Sequence, residues 1–255
     1  MTGLEQLLVW IEGDGLRLFW SAFLAFVRVG AVMALLPAFG EQSLSVRFRL
    51  GAALALTLAV APAVTSPVQI TAFAILAEAV VGLMLGAGFR LFILALQTAG
   101  AMAAQATSLS QLFAGAGAEP QPAISNLLSL AALALAFSTG LHVQAARALI
   151  VSYDLLPQGR FPEAGDVLTW GLAQVARSFS LAFSLAAPFV IGGLLYNVAL
   201  GAINKALPAL MVAFIGAPAL TLGGLVLLAI AAPLMLQIWL SAWQLWLVDP
   251  FALPR

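Results

Sequence analysis

The chain has 255 residues, of which 63% are hydrophobic and only 8% are charged, with ten basic and ten acidic side chains. A soluble domain is usually about 25% charged, so this composition excludes an ordinary soluble protein, and the zero net charge excludes a nucleic-acid-binding surface. With no cysteine and one histidine, the sequence offers no thiolate or multi-histidine site, and we expect no metal, cofactor or catalytic centre.

Six apolar blocks follow one another along the chain. Their predicted bounds are Leu16–Phe39, Phe48–Val64, Val68–Phe113, Ile124–Val151, Val167–Ile203 and Leu207–Val248. The blocks are apolar on all sides and rich in Ala, Leu and Gly, which indicates membrane helices rather than the alternating strands of a barrel. We therefore predict an all-α, polytopic membrane protein with a single domain over residues 1–255.

The third, fifth and sixth blocks exceed the roughly 20 residues that cross a bilayer. As single helices they would be roughly 55–70 Å long at 1.5 Å per residue. Each block therefore either contains a hairpin or extends beyond the bilayer inside an assembly. Helix breakers predict bends or reversals at Pro188, Gly192-Gly193, Gly216-Ala217-Pro218, Gly223-Gly224 and Pro233.

The polar connections carry the remaining charges. We expect Gly40–Arg49 to be a loop that carries Arg47 and Arg49, and Ser152–Asp166 to be an acidic connection. In a six-span count the two arginines and Lys205 fall on one side of the membrane and the acidic connection on the other. The positive-inside bias then favours both termini outside the cytoplasm.

Charges retained inside apolar helices normally face protein or water, and they are the first candidates for a function. A stripe of one residue in four consists of Ala74, Glu78, Gly82, Gly86 and Arg90. Its small residues would let another backbone approach closely. Glu78 and Arg90 would lie about 18 Å apart along a helix, so they cannot pair, and Arg28 is a candidate partner for Glu78. Such a pair is either a structural ion pair or part of a proton relay; we favour the ion pair because relays need chained titratable groups.

The segment Thr107–Pro122, TSLSQLFAGAGAEPQP, is the most unusual local sequence. Gly115 and Gly117 permit positive φ and two prolines resist helix, so we expect an irregular or mobile loop. The apolar residues Leu112 and Phe113 stand at its start. Two interpretations remain open: an apolar loop that stops a pore, and an ordinary interhelical turn.

A second stripe of one residue in four lies near the end of the fifth block. It consists of Gly193, Asn197, Gly201 and Lys205, with Asn204 beside it. The pattern indicates a close-packed polar helix interface, and Lys205 at its end also fits a side chain that reaches the membrane surface.

Two stretches of the chain resemble signatures of the FliR family, the flagellar export-gate proteins whose relatives serve virulence type III secretion. The first contains Arg28-Val29, Pro37, Glu41, Ser43, Arg47, Arg49-Leu50-Gly51 and Ala61-Pro62; the second contains Asn204-Lys205-x-x-Pro208, Gly216-x-Pro218 and Gly223. Glu78, Gly82 and Gly86 also fall in family-like positions between them. Ser45, Ala101, Ser108 and Ala209 depart from the family pattern.

The resemblance implies one FliR-like subunit that joins FliP-like and FliQ-like subunits in a helical export gate, in the bacterial inner membrane at the flagellar basal body. It further implies FlhA-like and FlhB-like partners, unfolded exported proteins as cargo, and contact with membrane lipid. The implied pore-plug residues are Leu109, Leu112, Phe113, Gly115, Gly117 and Pro120. Arg28, Glu78, Arg90 and Lys205 are expected to hold helix register; Gly82, Gly86, Gly193, Asn197, Gly201, Asn204, Pro208, Gly216 and Pro218 are expected at packing or hinge positions.

The chain is thus predicted to be a non-enzymatic structural and gating subunit of the flagellar type III protein export gate, built of helical hairpins with long helices that are broken at proline and glycine. The alternative is a stand-alone secondary transporter whose midplane site lies in the broken fifth and sixth blocks. Against this alternative, the two halves of the sequence contain no matching pair of broken helices.

Overall fold

The computed structural model describes residues 15–40, 44–64, 71–107, 123–206 and 212–252, and within these ranges it contains helices and no strands. The helices are α1 (Leu16–Leu35), α2 (Val46–Val60), α3 (Ala72–Ala106), α4 (Ala123–Ser138), α5 (Leu141–Leu155), α6 (Ala164–Ala206) and α7 (Val212–Val248). A 3₁₀ turn, Ala61–Ala63, extends α2. The all-α prediction is confirmed.

Five helices of the described ranges are long and apolar enough to cross a membrane, namely α1, α2 with its 3₁₀ turn, α3, α6 and the Pro218–Val248 part of α7. α4 and α5 together could form a sixth span, although they meet at a bend of 73°. Gly140 makes this bend with a φ of +81°, a conformation that glycine adopts without steric penalty. The polytopic membrane prediction is confirmed, and the fourth apolar block is two helices.

The three longest helices run without interruption over 35, 43 and 37 residues for α3, α6 and α7. Pro188, Pro218 and Pro233 lie inside helices, so the chain does not reverse at any of them. A proline removes one backbone donor, and the flanking turns keep their own hydrogen bonds. Within the described residues of the third, fifth and sixth blocks there is therefore no hairpin. α6 alone is roughly 65 Å long at 1.5 Å per residue.

Two helix ends differ from the predicted boundaries. α2 begins at Val46, so Arg47 and Arg49 lie in its first turn rather than in a loop. The turn starts early because the side chain of Ser45 accepts a hydrogen bond from the backbone N–H of Phe48 at 3.4 Å. α3 ends at Ala106, before the end of the third apolar block.

The chain divides into two compact units by its internal contacts. The prediction of a single domain over residues 1–255 stays a prediction. Unit 1 combines Met1–Arg90, Thr139–Gln174 and Trp246–Arg255. In unit 1, the Trp246 ring lies edge-on to Phe89 with centroids 5.0 Å apart, and it occupies the space that a side chain at Gly88 would need. The missing side chain at Gly88 therefore lets α3 pack against the end of α7.

Unit 2 combines Leu91–Ser138 and Val175–Leu245. In unit 2, Trp239 donates a hydrogen bond of 2.9 Å from Nε1 to the carbonyl oxygen of Phe92, and Trp243 lies edge-on to Phe92 at 5.4 Å. α6 and α7 form an antiparallel hairpin in which the Tyr196 hydroxyl donates to the carbonyl oxygen of Gly216. Trp239, through its backbone acceptor, and Trp243, through its ring contact, thus hold α3 and α7 together in unit 2.

Candidate functional site

A fully buried ion pair lies at the centre of unit 1. Arg28 of α1 donates from Nε to Oε2 of Glu78 at 2.8 Å and from Nη2 to Oε1 at 3.0 Å, and both side chains are 0% exposed. Two parallel N–H···O bonds between charged groups are stronger and more directional than neutral hydrogen bonds. The predicted pairing of Arg28 with Glu78 is confirmed, whereas its role stays a prediction.

Polar groups near the end of α5 satisfy the rest of the guanidinium. Arg28 donates from Nη1 to the Ser152 hydroxyl at 2.9 Å and from Nη2 to the carbonyl oxygen of Leu156 at 3.0 Å. The guanidinium carbon also lies 3.7 Å from the ring centroid of Tyr153, a cation–π distance. Burial of a charge is tolerated when its donors are paired, and Arg28 meets that condition.

The Glu78 carboxylate binds the loop that follows α5. Its Oε1 accepts from the backbone N–H of Gly159 at 2.7 Å, and its Oε2 accepts from the Tyr153 hydroxyl at 3.4 Å. Gly159 has a φ of +76°, so a residue with a side chain would be strained at this point. The ion pair therefore joins α1, α3, α5 and residues 156–163, which we call the 156–163 loop.

Gln158 fastens the same loop to α1 independently of the ion pair. It is buried, donates from Nε2 to the carbonyl oxygen of Ser21 at 2.8 Å, and accepts from the Ser21 hydroxyl at 3.1 Å. The loop is thus held at two neighbouring positions by side chains from different helices.

Two glycines of the first stripe bring α1 close enough for the ion pair to form. A Cβ at Gly82 would overlap the carbonyl oxygen of Arg28 itself, and a Cβ at Gly86 would lie 3.0 Å from the carbonyl oxygen of Val32. The predicted close backbone approach along this stripe is confirmed.

The geometry favours a structural role for the pair over a proton relay. Across the described ranges, the hydrogen bonds of Glu78 lead to an arginine, a tyrosine and a backbone amide, and to no second carboxylate or histidine. The same ranges hold no cluster of three or more His, Asp or Glu that could bind a metal ion. A relay needs titratable groups in sequence, which this arrangement lacks.

The other two predicted register charges do not share this site. Arg90 is half-buried, and within the described part of the chain it makes no ion pair. Lys205 is exposed in the last turn of α6, where a cation is favoured by the helix dipole. The exposed position fits a lysine that reaches the membrane surface, and the register role of Lys205 stays a prediction.

The second stripe is mostly exposed in this chain. A Cβ at Gly193 would overlap the carbonyl oxygen of Ala106, so this glycine packs closely against the end of α3. The remaining stripe residues, Asn197, Gly201, Asn204 and Lys205, are exposed. Among the described residues, the stripe packs closely at Gly193, and the predicted polar interface along the rest of the stripe stays a prediction.

The packing and hinge positions on α7 fall into two kinds. Gly216 is buried, and a Cβ there would lie 3.0 Å from a methyl group of Leu200. Pro218 is exposed inside the helix. Pro208 lies outside the described residues, and so do all the implied plug residues, which are Leu109, Leu112, Phe113, Gly115, Gly117 and Pro120.

Two glycines hold the end of α3 directly before the predicted plug loop. Gly193 of α6 contacts Ala106, and Gly224 of α7 lies so close to Thr107 that a Cβ would be 2.6 Å from the threonine Cβ. Thr107 is buried and donates from its hydroxyl to the carbonyl oxygen of Ala103 at 2.8 Å. We call Gly193, Gly224, Ala106 and Thr107 the α3 seat.

Sequence reasoning missed several residues of these sites. Ser152, Tyr153 and Gly159 fall in the predicted acidic connection Ser152–Asp166. The signal there is a proline and a glycine that follow the apolar block closely and indicate a turn. The tryptophans Trp239, Trp243 and Trp246 are each at most 2% exposed. Their spacing of four and three residues places them on one helix face, a signal that could have identified the buried side of α7.

The sequence is similar to known proteins over almost the whole chain. The sequence pattern of the bacterial export proteins, family 1, matches residues 19–246. The chain is 33% identical over 234 residues to the flagellar biosynthetic protein FliR of Caulobacter vibrioides, which covers 88% of this chain and 93% of the relative. It is 27% identical over 238 residues to the protein of the same name from Escherichia coli K12, covering 91% of this chain and 88% of the relative.

A more distant relative extends the same similarity. The flagellar biosynthetic protein FliR of Bacillus subtilis is 26% identical over 211 residues, covering 79% of this chain and 82% of the relative. The family pattern spans both signature stretches and the buried ion pair. The chain belongs to the bacterial export proteins, family 1, and is a member of the FliR family.

Proposed function

We propose that this chain is a structural and gating subunit of the flagellar type III protein export gate in the bacterial inner membrane, where it forms part of the channel for unfolded export substrates. Its partners in this proposal are FliP-like and FliQ-like gate subunits and FlhA-like and FlhB-like export components. The flagellar assignment is supported by the names of its relatives, and the proposed role contains no catalytic step.

The observation that carries the proposal is the length of the exposed apolar surface on α6. Large apolar side chains are exposed at Leu168, Leu172, Val175, Phe179, Phe183, Val190, Ile191, Leu194, Leu195, Val198 and Ile203. From Leu168 to Ile203 this surface extends roughly 53 Å along the helix. The hydrocarbon core of a bilayer is only about 30 Å thick, so other protein subunits must cover the remainder.

The exposed amides of the second stripe support the same proposal. On α6, Asn197 lies between the exposed apolar residues Leu195 and Val198, and Asn204 lies between the exposed residues Ile203 and Lys205. An amide that faces lipid leaves its hydrogen-bonding groups unsatisfied, whereas an amide that faces another subunit or a water-filled channel does not. A gate subunit offers both of these surroundings.

The gating part of the proposal assigns the plug to Leu109–Pro122. This segment lies outside the described residues, but the α3 seat fixes the point from which it starts. A loop that closes a pore needs a rigid attachment to its helix, because a loop with a mobile attachment would sample many positions. Deleting Leu112 to Gly117 is expected to raise ion leakage through the assembled gate without lowering the yield of the complex; unchanged conductance would remove the plug role.

The subunit role is tested by native mass spectrometry after extraction in a mild detergent. We expect the chain in a large hetero-oligomer with several other membrane subunits, and little of it as a free monomer. A monomer or small homo-oligomer that is folded and active alone in vesicles would contradict the proposal. No observation favours the transporter alternative, since α6 and α7 continue through their prolines over the described residues and provide no helix break for a midplane site.

A further inference from the structure

Unit 1 contains a cavity of about 350 Å³ at the meeting point of the ends of α5 and α7 with the start of α6. Its apolar walls include Met84, Leu155, Val167, Trp170 and Phe251. Cavities of roughly 300–1,000 Å³ with apolar walls and a few polar groups are typical of binding pockets in proteins. The space is sufficient for one or two side chains of another molecule.

Three carboxylates line the same cavity, and no basic residue does so among the described residues. They belong to Glu163, Asp166 and Asp249, which are all exposed. Arg160 of the neighbouring loop is exposed and is not part of the lining. Three negative charges around an apolar recess create a potential that attracts a cation. Ionised carboxylates are costly in hydrocarbon, so we expect the opening of the cavity to lie outside the hydrocarbon of the bilayer.

The walls are fixed before any ligand arrives. Trp170 donates from Nε1 to the carbonyl oxygen of Pro250 at 2.9 Å, and its ring contacts Phe251 with centroids 6.0 Å apart. The carboxylate of Asp249 accepts from the backbone N–H of Phe251 at 3.3 Å. A preformed pocket loses little conformational freedom on binding, which favours affinity.

We propose that this cavity binds an arginine or lysine of a partner polypeptide, with an apolar side chain next to it in the partner sequence. The cationic group meets Glu163, Asp166 and Asp249, while the apolar neighbour fills the space beside Val167 and Met84. This inference rests on unit 1 alone and is independent of the export role.

The lining also argues against an aminolipid as the occupant. The ammonium of a phosphatidylethanolamine headgroup is separated from its phosphate by two carbons. A pocket for it would need a cation near the carboxylates to receive the phosphate, and none lines this cavity among the described residues. An arginine or lysine side chain carries no such adjacent anion, so it fits the charge distribution better.

The test measures binding of a short fluorescent peptide, with one arginine between two leucines, to the full chain purified with its co-extracted subunits. The variant Glu163→Gln/Asp166→Asn/Asp249→Asn is expected to weaken binding at least about tenfold, as expected for the loss of several charge contacts. Replacing the arginine by citrulline, a neutral isostere, is expected to have a similar effect on the wild-type protein. Asp154→Asn is the matched control, because Asp154 is exposed nearby and does not line the cavity.

A second variant tests the apolar part of the pocket. Val167→Trp is expected to fill the space and to weaken peptide binding while all three carboxylates remain. Circular dichroism of each variant reports folding; should Val167→Trp unfold, the carboxamide variant still decides, since its three side chains are exposed and their removal strands no buried partner. Equal affinity of the wild type and the carboxamide variant would overturn the proposal. Binding of phosphatidylethanolamine nanodiscs that depends on the carboxylates, without peptide binding, would also overturn it.

Discussion

Arg28 and Glu78 illustrate how a charged pair is tolerated inside an apolar helix bundle. Each charge alone would be costly to bury, and the gain from pairing depends on the remaining donors and acceptors being satisfied. Here a hydroxyl, two backbone groups and an aromatic ring complete the site. We therefore predict that the pair specifies which helix faces meet.

Glu78→Ala leaves a buried guanidinium without its counter-ion. We expect a destabilisation of about 3–5 kcal/mol, because removing one member of a buried ion pair leaves the other charge unpaired in an apolar medium. The measurement is the amount of the complex in membranes and its thermal unfolding temperature. Asp154→Ala, which removes an exposed carboxylate from the same unit, is expected to be neutral.

Replacing both members, as in Arg28→Met/Glu78→Leu, is expected to restore much of the stability that Glu78→Ala loses, since no charge remains buried. If Glu78→Ala instead accumulates normally and abolishes secretion, the ion pair is not structural and the relay interpretation takes its place.

Gly82→Ala places a methyl group against the backbone of Arg28. We expect a destabilisation of about 1–3 kcal/mol through separation of α1 from α3. The control is Gly30→Ala on α1, where nothing lies within 4 Å and the helix is expected to gain about 0.5–1 kcal/mol. Thermal unfolding of the two variants side by side checks this, and indistinguishable unfolding temperatures would show that the close approach is not required.

At this scale the sequence predicted part of the site and not the rest. A charge in an apolar block is visible without a structure, and so is the regular spacing of small residues, which is why Arg28, Glu78 and Gly82 could be named. Ser152 and Gly159 are separated from Arg28 or Glu78 by 124 and 81 residues. Their contribution depends on tertiary closure of a turn, which leaves no periodic pattern.

Among the elements, the end of α3 lies next in sequence to the segment that we propose as the plug. The α3 seat holds the last turn of this helix from two sides, with one glycine on α6 and another on α7. In the proposed gate, a movement of the α6–α7 hairpin would displace the end of α3 through two contacts, that of Gly193 with the backbone of Ala106 and that of Gly224 with the side chain of Thr107.

Gly193→Ala is expected to displace the end of α3, because the added methyl group would overlap the carbonyl oxygen of Ala106. In the proposed gate this displacement raises ion leakage, which is measured as conductance of the assembled complex in a planar bilayer. Gly192→Ala is the matched control, since a Cβ there would be 3.8 Å from Leu227, an ordinary contact distance. Equal conductance of the two variants would show that the α3 seat takes no part in gating.

The elements also show how the chain passes its prolines. Pro188, Pro218 and Pro233 predict bends or reversals from sequence; α6 and α7 continue through all three, so the chain does not reverse there. The actual break in the described residues of the fourth block occurs at Gly140, where the backbone adopts a left-handed conformation. The sequence shows only that a proline lacks a backbone N–H donor. The direction of the chain depends on whether the neighbouring helical turns have partners to pack against.

For the whole molecule, the coverage of the apolar surface is the property that separates a subunit from an independent protein. The absence of cysteine makes this coverage measurable, because a single introduced cysteine is the only thiol in the chain. Positions along the exposed face of α6, from Leu168 to Ile203, provide the scan.

We expect a membrane-impermeant maleimide to label more of these positions in the chain expressed alone than in the complete assembly. The additional positions are expected at one end of the roughly 53 Å surface, since the bilayer protects only about 30 Å of it. Gly165→Cys and Gly171→Cys, at positions with no neighbouring atoms within 4 Å, serve as probes of reactivity near the start of α6. An identical labelling pattern with and without the other subunits would contradict the assembly proposal.

The long sequence separation of the ion pair has a consequence for biosynthesis. Arg28 is synthesised 50 residues before Glu78 and 124 residues before Ser152. At about 5–20 residues per second, α1 waits roughly 3–10 s for its carboxylate, with an arginine whose insertion costs about 2.5–3.5 kcal/mol at a helix centre. We therefore expect nascent α1 to stay beside the insertion machinery until α3 emerges, and a ribosome stalled ahead of Glu78 to leave α1 incompletely inserted.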